Sequence, residues 1–174
     1  KQEAEKQGVS VKKVALMGDS AVAHLALLYA YTHYTDSPIE IAFVASNVGP
    51  ADFLDMAAYA GSADWVRLRV GQLIGVNVPI TIDNYLQYEA QLKAASPIQH
   101  VSADVPPTLL AYGVKDPIVP ISNARALDAA LSAAGVEHSY FEFPNSGHEL
   151  DKDPAISQAY YEELAAYAFA KLMK

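Results

Sequence analysis

The chain of 174 residues is predicted to be an α/β protein, a mostly parallel sheet flanked by helices on both faces. Three observations predict it. Runs of strand length alternate with longer, alanine- and leucine-rich runs of helix length, in the order strand, helix, strand, insertion, strand, helix, strand, helix. The strand-length runs are almost continuously apolar, as strands buried on both faces are. Hydrophobic residues make up 52% of the chain and charged ones 18%, ample for a packed core and unlike a disordered segment.

The elements follow in order. Gln2 to Gly8 reads as the end of a solvated helix. Val11 to Gly18 ends in an apolar run and is the first buried strand. Ser20 to Tyr34 is too long and too alanine-rich for a strand, and being apolar on nearly every side it reads as a buried helix. Ile39 to Ala45 is the second strand, closed by Asn47-Val48-Gly49-Pro50. From about 51 to 95 the pattern loosens into short helical stretches, a lid-like helical insertion. Pro106-Pro107 leads into the third strand, Thr108 to Gly113. Ile121 to Ala134 carries Leu127 and Leu131 on one face and stops at Gly135, a C-cap. His138 to Phe143 alternates as a fourth strand, Pro144 to His148 is a loop, and a last helix runs from about Pro154 to Met173. Residues 1–174 are expected to form one domain.

Composition excludes several classes of function. With 12 basic against 20 acidic residues the net charge is near -8, and an acidic surface repels nucleic acid. No cysteine is present, which removes disulfides, thiolate metal sites and a cysteine nucleophile. The longest apolar stretch, Ala21 to Tyr31, is interrupted by His24 and falls short of the roughly 20 residues of a membrane span. The first residues are charged rather than apolar, so a cytoplasmic location is expected. No His pair has metal-ligand spacing, and no cofactor or metal is expected.

Ligands of open parallel sheets bind beyond the carboxyl ends of the strands. Ser20 follows the first strand, Asp116 the third and His148 the fourth. A serine hydroxyl is a weak nucleophile until an imidazole accepts its proton, and the imidazole needs a carboxylate to fix its tautomer. At a strand-to-helix turn Ser20 also sits at a helix N-terminus, where the Ala21 N–H is expected to serve as an oxyanion donor.

Gly18-Asp19-Ser20-Ala21-Val22 resembles the nucleophile elbow of α/β-hydrolases, in the esterase and lipase branch related to hormone-sensitive lipase. Ser96-Pro97-Ile98, Pro106 to Leu110 and Gly113 to Pro120 resemble that branch's run up to the catalytic acid, and Gly147-His148 its histidine loop. The resemblance extends from about Val11 to the C-terminus. It implies the C-terminal half of the catalytic domain, a partial α/β-hydrolase fold lacking the N-terminal strands. It also implies a carboxylic ester hydrolase with Ser20, Asp116 and His148 as its triad and a small-molecule ester as its substrate.

Two departures carry expectations. The elbow usually ends in glycine, so Val22 is expected to crowd the turn, an overpacking of about 1–3 kcal/mol. No Gly-Gly pair exists in the chain to supply the family's upstream oxyanion loop. The alternative function is therefore a catalytically degenerate hydrolase domain retained for binding or assembly. With the earlier strands missing, Val14 to Met17 becomes an apolar edge strand. It is expected to be covered by a second copy of the chain or by a separate N-terminal half.

Each residue also has a plainer reading. Ser20 is a good N-cap, Asp116-Pro117 a common turn pair and His148 a surface loop residue. His24 reads as a core residue beside the elbow, and Tyr59, Trp65, Tyr85 and Tyr88 as pocket-lining or core aromatics of the insertion. Glu149, Asp151 and Asp153 read as charges at the N-terminus of the last helix. The SGNH esterases also open with Gly-Asp-Ser, but they place Asp three residues before the His, where this chain has Asn145.

Overall fold

A computed structural model describes residues 2–173. Four strands form one parallel sheet in the order β1-β2-β3-β4: Lys13–Asp19, Glu40–Asn47, Thr108–Gly113 and His138–Phe143. Parallel direction follows from the crossovers. Each of the first three strands is followed by a connection long enough to return the chain to the same end of the sheet. The helices are α1 Gln2–Lys6, α2 Ala21–His33, α3 Met56–Tyr59, α4 Asp64–Leu73, α5 Glu89–Ala95, α6 Ile121–Ala134 and α7 Pro154–Leu172. The third and fourth strands and α6 have the limits that the sequence predicts, and α6 ends at Gly135 in the left-handed conformation (φ 71°).

The period-two alternation of β3 divides the core. Leu110 and Tyr112 face α2 and α6, packing with Leu27, Tyr31, Leu127 and Leu131. Leu109 and Ala111 face α7, packing with Phe43, Phe143, Tyr160 and Tyr167. Helices therefore lie on both faces, as the near-continuous apolar strands require. Residues 51–95 build a third cluster of their own, with Phe53, Met56, Tyr59, Val66, Val70, Ile80 and Leu92 buried together. It sits where β2 hands over to β3, beside the carboxyl ends of the strands.

Strand β1 is an edge. Met17 is 54% exposed, and Val22, Leu25 and Tyr29 form an exposed apolar row on α2. Among the described residues, no helix is long and apolar enough to cross a membrane.

Candidate active site

Strand β1 passes directly into α2 without a loop, and Ser20 takes the whole change of direction. Its backbone lies at φ 54°, ψ -120°, a conformation that costs a non-glycine residue about 1–3 kcal/mol. The turn is held from below: the Ser20 N–H donates to the Asn47 carbonyl at 2.8 Å, at the end of β2. Asn47 Nδ2 donates to Asp19 Oδ1 at 2.9 Å, and Tyr160 on α7 donates its hydroxyl to Asn47 Oδ1 at 2.6 Å. The plainer reading of Ser20 fails here. The residue occupies the N-cap position, yet its hydroxyl makes no capping hydrogen bond.

Val22 does not crowd the turn as expected. Its side chain is 58% exposed, and its Cγ1 packs over Gly18, where a Cβ would lie only 2.5 Å away. The bare Cα of Gly18 makes room for the valine, so the volume is absorbed one turn earlier rather than wedged between helix and strand.

Asp116 follows β3 in a tight turn. Its Oδ1 accepts the N–H groups of Ile118 at 2.8 Å and Val119 at 3.0 Å, which fixes the rotamer. Its Oδ2 accepts a hydrogen bond from His148 Nδ1 at 2.7 Å. The carboxylate is fully buried and the imidazole only 15% exposed. A proton held on Nδ1 leaves the Nε2 lone pair free to accept another. The hydrogen bond to Asp116 raises the His148 pKa above the ordinary histidine value. Partial burial opposes that rise, and the charges of Asp116, Glu149 and Asp19 add to it.

The histidine loop reaches Asp116 because Gly113 lets the backbones touch. A Cβ on Gly113 would collide with the carbonyl of Gly147, and it would come within 2.7 Å of the Ser146 carbonyl. The Lys115 N–H closes the contact by donating to Ser146 O at 3.0 Å. Asp153 holds the loop from the other side. Its Oδ2 accepts the buried Ser146 hydroxyl at 2.7 Å, and its Oδ1 accepts Asn145 Nδ2 at 2.8 Å. Burial alone would raise the Asp153 carboxyl, but these hydrogen bonds outweigh it and hold the pKa below the ordinary value. Asp153 is thus a clamp on the histidine loop rather than only a helix-end charge. The Asn-Ser pair seven to eight residues upstream is the faint signal that sequence reading missed. Asn47 and Tyr160 were missed as well, since nothing local marks them.

Ser20 and His148 line one cavity of about 420 Å³, together with Asp19, Asn47, Glu149 and Tyr160. No hydrogen bond joins the serine hydroxyl to the imidazole among the described residues. Ser20 and Ala21 also open onto a second, apolar cavity of about 520 Å³, walled in part by Phe53, Tyr59, Trp65 and Val70. Tyr85 and Tyr88 pack instead against the core of residues 51–95. His24 lies in the apolar wall, donating Nε2–H to the Ala95 carbonyl at 2.7 Å and meeting Phe53 edge to face. Burial lowers its pKa against that hydrogen bond, so it is a neutral core residue.

A family model described as BD-FAE matches residues 1–131, which include Ser20 and Asp116 and stop before His148. Esterase LipQ of Mycobacterium tuberculosis is 32% identical over 144 residues, covering 79% of this chain and 33% of that protein. The chain thus spans about a third of that relative's length. Among solved structures, a truncated carbohydrate esterase from gut microbiota superposes with a TM-score of 0.77 at 20% identity, over 99% of this chain and 64% of the other. An acylaminoacyl peptidase in complex with Z-Gly-Gly-Phe-chloromethyl ketone gives a TM-score of 0.75 at 18% identity, over 99% and 26%. The extent of the family match, joined to a four-stranded parallel sheet shared with esterases and peptidases, places the chain in the BD-FAE family of the α/β-hydrolase superfamily.

Proposed function

We propose that this chain is the catalytic portion of a serine hydrolase acting on carboxylic esters through an acyl-enzyme. One observation carries the reading. A buried carboxylate, Asp116, lies 2.7 Å from Nδ1 of His148, and His148 lines the same cavity as the strained and uncapped Ser20. Ser20 is the nucleophile, His148 the general base and then acid, and Asp116 holds the imidazole in its working tautomer. As Ser20 Oγ bonds to the ester carbonyl carbon, its proton passes to His148 Nε2. The carbonyl oxygen becomes an oxyanion facing the Ala21 N–H at the start of α2. Collapse of the tetrahedral intermediate expels the alcohol, which takes the proton back from the imidazolium. Water then repeats the sequence and releases the acid. The esterase names of the relatives support this substrate class.

Residues 51–95 are the lid in this reading, and the apolar cavity that they share with α2 takes the hydrophobic part of the substrate. The exposed edge at β1 is covered by a second copy of the chain or by a separate N-terminal half.

The test is covalent labelling by a fluorophosphonate, alongside hydrolysis of 4-nitrophenyl acetate. The expected result is a single adduct on Ser20 and turnover above that of Ser20→Ala. An unlabelled Ser20 with rates equal to the Ser20→Ala background would favour the degenerate, binding-only domain.

A further inference from the structure

Helix α4 forms one wall of the apolar cavity that opens at Ser20. Val66 and Val70 are buried in the core of residues 51–95. Trp65, Arg69, Gln72 and Leu73, at helical spacing i, i+4, i+7 and i+8, line the apolar cavity that opens at Ser20. Arg69 is the one arginine or lysine in that lining. Of the three arginines, Arg67 pairs with Asp64, and Arg125 pairs with Glu142 through two hydrogen bonds. Arg69 has no carboxylate within ion-pair distance among the described residues. Its only side-chain hydrogen bond there runs from Nη1 to Gln72 Oε1 at 2.9 Å, which leaves most of its fork of donors unused.

Arg69 is exposed, and an unpaired, solvent-accessible guanidinium bordering apolar walls suits a carboxylate carried at the end of an apolar chain. The fork donates to the two carboxylate oxygens, while the methylenes replace water along Trp65 and Phe53. The chain as a whole, near -8 in net charge, repels anions, so a local cation is what an anionic substrate would require.

We propose that this cavity selects half-esters of dicarboxylic acids, with Arg69 reading the free carboxylate and Ser20 facing the ester carbonyl. The ester part of this statement rests on the serine-hydrolase reading; the preference for a carboxylate does not.

Trp65 is the chain's only tryptophan and stands in the cavity wall, so its fluorescence reports occupancy without any turnover. The probes are monomethyl adipate and its uncharged counterpart, methyl hexanoate. The expected result is binding of the charged ester about two- to fivefold tighter, the strength of an exposed ion pair. In Arg69→Gln that ratio falls to near one, and in Arg69→Glu it inverts. In the unaltered protein, 1 M salt compresses the ratio, because the screening length shrinks to about 3 Å. A ratio near one in the unaltered protein, a ratio unchanged by Arg69→Gln and by salt, or no saturable Trp65 response to either ester overturns the proposal. Methanol release measured in the same samples separates the two readings. Charge-selective binding without Ser20-dependent release sinks the hydrolase and leaves the cavity's selectivity. Release without charge preference does the reverse.

Discussion

Replacing Asp116 with Asn removes one charge and almost no volume, which makes it the sharpest perturbation of the site. Oδ1 of the aspartate already accepts two backbone N–H groups, at 2.8 and 3.0 Å, so the amide oxygen of Asn must stay there. Its NH₂ is then turned toward His148 Nδ1, where it can only donate. The imidazole is driven to carry its proton on Nε2, on the side where the serine proton has to arrive. Comparable loss of the working tautomer costs about 10⁴-fold in turnover, or about 5 kcal/mol of transition-state stabilisation. The same change removes the largest cause of the raised His148 pKa. The expected result is that the His148 midpoint, followed by NMR of the imidazole protons, moves down in the variant. The proposed reaction needs neutral His148, so ester hydrolysis is expected to be lost as pH falls through the raised pKa in the unaltered protein, and the acid limb of any residual rate to move to lower pH in the variant. Stability has the opposite sense. Because the folded-state pKa is raised, the pair's pH-dependent stabilisation is fully present below the ordinary histidine value and fades as pH rises through the folded value. A His148 midpoint that does not move in Asp116→Asn, or a rate within a few-fold of the unaltered protein, would refute the reasoning.

Gly113→Ala places a methyl group against the carbonyls of Gly147 and Ser146. It is expected to destabilise by about 1–3 kcal/mol and to loosen the histidine loop; thermal denaturation reads the first effect and the His148 midpoint the second. An unchanged melting temperature would show that the loop does not lie against β3. Met17→Lys puts a charge on the exposed β1 edge, where it blocks strand pairing. Sedimentation of the unaltered chain is expected to show a dimer that Met17→Lys converts to monomer, unless a separate N-terminal half occupies the edge. A monomer in both, with no such half bound, would mean that the edge stands open to water.

Much of the framework is legible locally. Buried strands announce themselves as continuous apolar runs, and α6 closes on Gly135 because only a left-handed residue can turn the chain there. The Gly-Asp-Ser turn signals a strand passing straight into a helix. Helix α2 is the harder case, since apolar residues surround it and periodicity says little. Its exposed row of Val22, Leu25 and Tyr29 emerges only when the open edge of the sheet is known. Val22 shows the same limit. Its misfit with the usual elbow is visible in sequence, but the relief at Gly18 depends on how the strand and the first turn of α2 stack.

By itself, then, the sequence determined the element types, their order and the three residues standing beyond strand ends, because those follow from burial patterns and turn chemistry within a few residues of one another. Tertiary structure alone decided that Asp153 clamps the histidine loop, that Asn47 and Tyr160 brace the elbow, and that Arg69 comes to stand in the cavity that opens at Ser20. The physical reason is distance along the chain. A sheet in sequential order brings the ends of β1, β3 and β4 to one rim, and no local pattern records which side chains will face each other there.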